Sequence, residues 1–185
     1  MTEADLRSQM IEILGRLGVA PDDVPRDQGE AAALASDVIL TRGERYSLRD
    51  LARIHDLPIE IATEPLVHLG IQAGDPDAVR FDDADLAMAT FLYEATQSIL
   101  TEAEGREMLH VVGTSLATIA EAAVASHVQG PERRAQNMVE VAILNTAVAE
   151  LGLELAGQLA AVFRHHLRQA AISNRRTQNQ VQRSS

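Results

Sequence analysis

The chain has 185 residues, of which 46% are hydrophobic, 23% charged and 3% aromatic, and it carries a formal net charge of −11 with no cysteine. The lack of cysteine excludes disulfides, thiolate zinc sites and cysteine nucleophiles, and the acidic balance disfavours binding to nucleic-acid phosphates. An apolar content of mostly Ala, Leu, Val and Ile favours helix-on-helix packing over a β-sandwich or barrel.

The N-terminal part of the chain predicts two helices joined by a short turn. Apolar residues recur there at intervals of three and four, as in an amphipathic helix; they are Leu6, Met10, Ile13, Leu14 and Leu17. Gly18 is placed to close this helix as a left-handed cap. The run at 21–23, Pro-Asp-Asp, predicts a turn of helix. The Ala-rich stretch from Gly29 to Leu40 predicts the second helix, which Gly43 ends.

A compact pair of helices is predicted next. Ser47 is suited to cap a helix from Leu48 to about His55. A turn containing Pro58 leads to a helix from Ile59 to Leu69, which Gly70 ends.

A third helix and a capping box follow this pair. Turn residues predict a loop over 72–80, and Asp82 can cap a helix that reaches about Ile99. Thr101 and Glu104 have the spacing of a capping box, which predicts the start of a long helix. No segment of the chain alternates in the manner of a strand.

The C-terminal half predicts long helices with an apolar face. The helix after the capping box runs to about Val128, a break follows at Gly130-Pro131, and another helix begins near Glu132. Gly152 is a possible division of that helix. Its apolar face consists of Met138, Val141, Val148, Leu151, Leu155, Leu159 and Val162. Residues 173–185 are polar, and we expect them to form a frayed or disordered tail or linker.

Four short runs carry the most informative local pattern: Tyr46-Ser47-Leu48-Arg49-Asp50-Leu51-Ala52, Leu57-Pro58, Leu69-Gly70-Ile71 and Phe81-Asp82-Asp83-Ala84-Asp85-Leu86. Together, over about residues 46–92, they resemble the winged helix-turn-helix of MerR-like regulators. The helix at 59–69 would then be the recognition helix. It offers Glu60, Glu64 and His68 and no Arg, whereas contacts to bases and phosphates need donors and cations. We therefore expect the helix-turn-helix to be a structural element that does not bind nucleic acid.

The order of elements over residues 6–170 resembles the regulatory region of pH-responsive, mycobacterial-type class III adenylate cyclases. The shared order is a short helical region, the MerR-like unit, a long capped helix and a terminal helix with Arg-His-His-Leu-Arg at 164–168. The resemblance implies an all-α, homodimeric, autoinhibitory domain that controls a cyclase catalytic domain, in cis or in trans, and hence cAMP synthesis. It divides the chain into an N-terminal part (1–100), a dimerisation and output part (101–172) and the tail (173–185).

We predict that the chain itself is not an enzyme and holds no metal or cofactor. Two-metal cyclisation of ATP needs two aspartates on a strand-and-loop scaffold and usually a lysine for adenine, and the chain has no lysine. The acidic run after Phe81 opens a predicted helix, where acids ordinarily act as caps and dipole partners. No spacing typical of zinc, serine-hydrolase or phosphate-loop sites is present.

The candidate regulatory residues are His165 and His166, flanked by Arg164 and Arg168. Histidine titrates near neutral pH, and adjacent helical residues point about 100° apart, so one of the two histidines could face the core and the other a partner. The alternative is a pair of solvated histidines on a basic tail. The resemblance implies that these four residues belong to the helix that carries the pH signal out of the domain.

Other expectations concern ligands, location and competing functions. Ala- and Leu-rich helices in the C-terminal half can leave an apolar channel, so an apolar ligand such as a fatty acid, bound among these helices, is the alternative to tight packing. The chain shows no signal-peptide layout, and its longest uncharged apolar run in the long helices, Met108 to Ala120, is too short to span a bilayer; we expect a cytoplasmic protein without a transmembrane segment. The competing functions are a free-standing MerR-like transcription regulator with a helical effector domain and a small-molecule or lipid-binding module.

Overall fold

The computed structural model describes residues 2–72, 74–98 and 101–184, with the backbone only at 93, 96–98 and 177–184, and its fold is all-α. Its elements are α1 (Glu3–Arg16), α2 (Gln28–Leu40), β1 (Tyr46–Ser47), α3 (Leu48–Ile54), α4 (Ile59–His68), β2 (Val79–Phe81), α5 (Asp83–Ser98), α6 (Glu102–His127) and α7 (Met138–Ser184). A single 3-10 turn at Pro21–Asp23 and a π-helical turn at Val128–Glu132 complete the described elements.

The chain forms two compact units. The terminal unit combines Met1–Leu40 with Asn137–Ser185, and the central unit spans Thr41–Gln136. This division differs from the predicted boundaries at residues 100 and 172, which follow chain order. The physical reason is that α7 packs against α1 and α2 across a long sequence separation.

The terminal unit is held together by close packing of α2 and α7. Three alanines of α2, Ala31, Ala32 and Ala35, are completely or almost completely buried, and their small side chains let another helix approach closely. On α7, Ala142 is fully buried, and the amide of Asn145 donates a 2.9 Å hydrogen bond to the carbonyl of Ala32. This contact fixes the start of α7.

Two details of α7 differ from the sequence prediction. The helix begins at Met138 rather than near Glu132, because the side chain of Asn137 accepts a 3.0 Å hydrogen bond from the backbone of Glu140 as an N-terminal cap. Gly152 does not divide the helix, and the segment 173–184, predicted as a frayed or disordered tail, continues it. No Gly or Pro follows Gly157, so the sequence contains no residue that stops the helix.

The central unit is built around a helix-turn-helix formed by α3 and α4. Ser47 caps α3 in a capping box with Asp50, as predicted. The turn between the helices passes through Asp56, whose φ of 53° is left-handed, a conformation that Asp tolerates better than most residues. The core beneath the pair consists of Leu48, Leu51, Leu66 and Phe81.

A two-stranded antiparallel sheet, β1 with β2, was not predicted. Its strands have only two and three residues, too few to show the alternation by which a strand is recognised. The sheet pairs Tyr46 with Phe81, and this places the Phe81 side chain in the core below α3. The predicted loop at 72–80 therefore ends in the second strand.

The helix α6 is packed only near its start. Its buried residues are Gly105, Leu109 and Gly113, and the stretch from Thr114 to Ser126 is exposed. Among the described helices, α6 with its π-turn is long and apolar enough to meet a criterion for membrane spans. By length and composition alone, a single such helix is weak evidence. The expected absence of a transmembrane segment stays a prediction.

Gly113 permits the contact between α6 and the end of α4. A Cβ added at Gly113 would lie 2.6 Å from the carbonyl carbon of Leu69, closer than carbon atoms approach without displacement. We predict that Gly113→Ala lowers the free energy of unfolding by about 1–2 kcal/mol, because the overpacking cost exceeds the gain in helix propensity. Urea unfolding followed by circular dichroism measures this change.

Gly157→Ala is the matched control, since nothing lies within 4 Å of a Cβ added at that position in α7. This variant is expected to gain up to about 1 kcal/mol from helix propensity. A loss of stability in Gly113→Ala together with a gain in Gly157→Ala supports the close contact; a stabilised Gly113→Ala protein would contradict it.

Candidate functional site

The four predicted regulatory residues all lie on the exposed part of α7. Arg164, His165, His166 and Arg168 are exposed. The acidic residues of α7 all precede them, and the nearest in sequence, Glu154, lies ten residues before Arg164, about 15 Å along the helix axis. A carboxylate that attracts the charged histidines must therefore come from outside α7.

An apolar stripe runs along α7 toward these histidines. Helical spacing of 100° per residue places five side chains within about 40° of one line; this α7 seam consists of Leu151, Leu155, Leu159, Val162 and His166. Leu155 and Val162 are 44% and 49% exposed, although such side chains are ordinarily buried. The structure thus separates the two histidines: His166 lies on the seam and His165 beside it.

The central unit contains a cavity of about 320 Å³ among α3, α4, α5 and the start of α6. Its floor is apolar and includes Leu51, Leu66, Leu92 and Leu109. The expectation of an apolar ligand placed it among the C-terminal helices, whereas this cavity involves only the start of α6. Occupation by a fatty acid or a similar molecule stays a prediction.

Charged groups line one side of the cavity. Glu64 lies 3.5 Å from the imidazole of His68 and 3.8 Å from the guanidinium of Arg106. Arg106 is held more closely by Glu102, at 2.6 Å. Sequence reasoning missed this cluster, because α4 and α6 are distant in sequence and only the small residues at 105 and 113 indicate that the two helices approach each other.

In a DNA-binding helix-turn-helix, the exposed surface of the second helix faces the DNA. The corresponding surface of α4 is acidic and apolar. Glu60, Glu64 and Val67, here named the α4 face, follow each other at intervals of four and three, and all three are exposed. Val67 is 58% exposed. Beside this face lies an open groove of about 580 Å³, bounded by Ile59 and by Pro76 of the following loop.

Arginines near the helix-turn-helix are paired with carboxylates. Arg49 donates two hydrogen bonds to Asp77, at 2.6 and 3.1 Å, and this contact raises the pKa of Arg49 and lowers the pKa of Asp77. Arg53 contacts Asp50 at 2.6 Å, and Arg45 contacts Asp83. These pairs neutralise the cations that phosphate binding requires.

The acidic run after Phe81 forms a helix cap, as predicted. The Asp82 carboxylate accepts hydrogen bonds from the backbone of Ala84, at 2.7 Å, and of Asp85, at 3.0 Å. The Asp85 carboxylate accepts one in return from the backbone of Asp82, at 2.9 Å. Partial burial raises the pKa of Asp85. Both carboxylates therefore cap the N-terminus of α5.

No protein-family model matches this chain, and no curated protein matches it significantly. The resemblance to cyclase regulatory regions therefore stays a prediction that depends on the order of the elements.

The capping box of α3 predicts an acid-dependent loss of stability. Hydrogen bonds from the backbone and the hydroxyl of Ser47 lower the pKa of Asp50, so the unfolded chain takes up a proton first as the pH falls. Stability that this carboxylate provides above about pH 4 is then lost progressively below that value. We predict a shallower fall for Asp50→Asn, measured by urea unfolding between about pH 5 and about pH 2.5.

Glu121→Gln is the control, because it removes an exposed acid of α6 without changing the cap. An acid dependence equally steep in wild type and Asp50→Asn would contradict the assignment.

Proposed function

We propose that this chain is a regulatory domain that controls an adenylate cyclase catalytic domain, in cis or in trans, in response to pH. The observation that carries the proposal is the construction of α7, one continuous helix of 47 residues. Its start is anchored in the terminal unit, and residues 150–176 are mostly exposed. The proposal also draws on the element order that resembles cyclase regulatory regions.

A helix of this kind is suited to transmit a signal. Forty-seven residues span about 70 Å, and burial ends near Ala149, so about half of the helix or more extends from its anchor. A helix is stiff over this length, so a shift or rotation at the anchored end moves whatever is joined to the other end. Regulation of this type needs only a small change in packing.

The α7 seam is the proposed dimer contact. Apolar side chains at intervals of three and four pack into the facing helix of a coiled coil. Class III catalytic domains place their active sites between two subunits, as the family resemblance implies. Two paired α7 helices would therefore set the spacing of two catalytic domains.

We predict that Leu155→Asp with Val162→Asp converts a dimer to monomers, because two charges enter the apolar contact of each helix. Light scattering at micromolar concentration measures the mass. The control is Leu153→Asp, since Leu153 is 51% exposed but lies about 160° away from Leu155 around the helix. A wild-type protein that is monomeric, or equal loss of the dimer in both variants, would contradict the seam.

His166 connects the seam to pH. A histidine is mostly neutral above about pH 7.5 and mostly charged below about pH 5.5. In a dimer paired along the seam, acid places two like charges close to an apolar contact. His165 and the two arginines add positive charge beside it. Acid thus weakens or rearranges this end of the helix pair, while activation by acid follows from the family resemblance.

We predict that His165→Ala with His166→Ala reduces the difference in cyclase activity between about pH 5.5 and about pH 8, measured with the chain joined to a class III catalytic domain. Circular dichroism of the chain alone, measured at the same pH values, reports the change in helix order of α7 directly. His110→Ala is the control, because His110 is also exposed on a long helix. A double variant that keeps the wild-type response would exclude this pair as the sensor.

A further inference from the structure

The α4 face is an exposed surface on a rigid support. Leu66 on the opposite side of α4 is 3% exposed and belongs to the core with Leu48 and Leu51. Ser47 and Asp50 cap the neighbouring helix, and the close contact at Gly113 holds the end of α4. Glu60, Glu64 and Val67 are therefore presented in a fixed arrangement.

The chemistry of this surface is mixed. Two carboxylates and one valine share the α4 face, and the open groove beside it is bounded by Ile59, Thr63 and Pro76. Apolar contacts in the groove and carboxylates along its edge match a ligand that has an apolar side and cationic groups next to it.

The central unit around the α4 face also carries a net negative charge. The central unit contains eight arginines and sixteen acidic residues. Three of the arginines, Arg45, Arg49 and Arg53, lie in or next to the helix-turn-helix and contact carboxylates. An electrostatic field of this sign attracts cations and repels phosphate backbones.

We propose that the α4 face and its groove bind a cationic amphipathic segment of a partner protein. Its arginines or lysines pair with Glu60 and Glu64, and its apolar side chains enter the groove against Ile59, Val67 and Pro76. Glu64 is accessible to such a partner because its side chain is 44% exposed and its contacts with His68, at 3.5 Å, and Arg106, at 3.8 Å, are long, while Arg106 is held by Glu102 at 2.6 Å. The helix-turn-helix thus serves as a protein-docking element, a role independent of α7.

The test uses the full chain and three probes: a synthetic amphipathic helix of leucine and arginine, the same helix with glutamate in place of arginine, and duplex DNA. Fluorescence anisotropy measures binding of each probe at low and at high salt. We expect the leucine–arginine helix to bind most tightly and its affinity to fall as salt is added, since ion pairs at an exposed surface are screened.

The decisive comparison is between two double variants that remove the same residue types. Glu60→Gln with Val67→Ser changes the α4 face, whereas Glu107→Gln with Val111→Ser changes an exposed part of α6. Val67 and Val111 are equally exposed, at 58%. We expect the first to weaken peptide binding about tenfold and the second to leave it within about twofold. Circular dichroism checks that both variants remain folded, and Glu60→Gln alone provides a milder change.

Several outcomes would overturn the proposal. These are equal losses in the two double variants, binding of the leucine–glutamate helix as tight as that of the leucine–arginine helix, or absence of peptide binding by the wild type. Tighter binding of duplex DNA than of either peptide would show that the helix-turn-helix reads nucleic acid instead.

Discussion

The contact between the alanine face of α2 and the first turns of α7 determines what the terminal unit can do. Ala31, Ala32 and Ala35 leave room for the backbone of α7 to approach, and Asn145 bonds to the carbonyl of Ala32. Small residues at a helix contact reduce the apolar area that each pair buries but allow many atoms to come within van der Waals distance. The anchored start of α7 follows from this contact.

The central unit uses a familiar arrangement of helices with an unusual distribution of charge. In a DNA-binding helix-turn-helix the second helix carries donors and cations. Here the corresponding helix carries Glu60 and Glu64, and arginines nearby are engaged by Asp50, Asp77 and Asp83. The fold of the motif depends on its buried leucines and on the Ser47 cap, so the exposed face can change its chemistry without loss of the fold.

Local signals in the sequence predicted most of the helices. The caps at Ser47 and Thr101 and the left-handed Gly18 are confirmed, because caps are encoded by a few adjacent residues. The predicted end of α5 at Ile99 lies outside the described residues. The short sheet was missed because strand pairing is a contact between distant segments. The cavity and its charged rim were missed for the same reason: Glu64 and Arg106 meet only once α4 and α6 have packed.

The apolar face of α7 shows a second limit of sequence patterns. One periodic stripe runs through residues 138–162, yet Val141 is 7% exposed whereas Leu151, Leu155 and Val162 are 44–62% exposed. Periodicity reveals that a face is apolar and gives no information about whether its partner lies in the same chain. Burial in the structure supplies that distinction, and it locates the surface for which a partner must be sought.

The free energies available from burial and from charge along the α7 seam limit the kind of regulation that the seam can support. Complete burial of a leucine or valine side chain contributes about 1.5–3 kcal/mol, so the half-exposed seam residues together can provide several kcal/mol on pairing. An ion pair at an exposed site contributes about 0.2–1 kcal/mol, and the interactions of a charged His166 are of this order where the imidazole keeps its contact with water. Protonation of His166 on two helices is therefore too weak to separate a well-packed pair. It is large enough to shift a balance between two pairings of similar free energy severalfold. Under the proposed function, a pH response through α7 would therefore consist of a rearrangement within a persistent dimer.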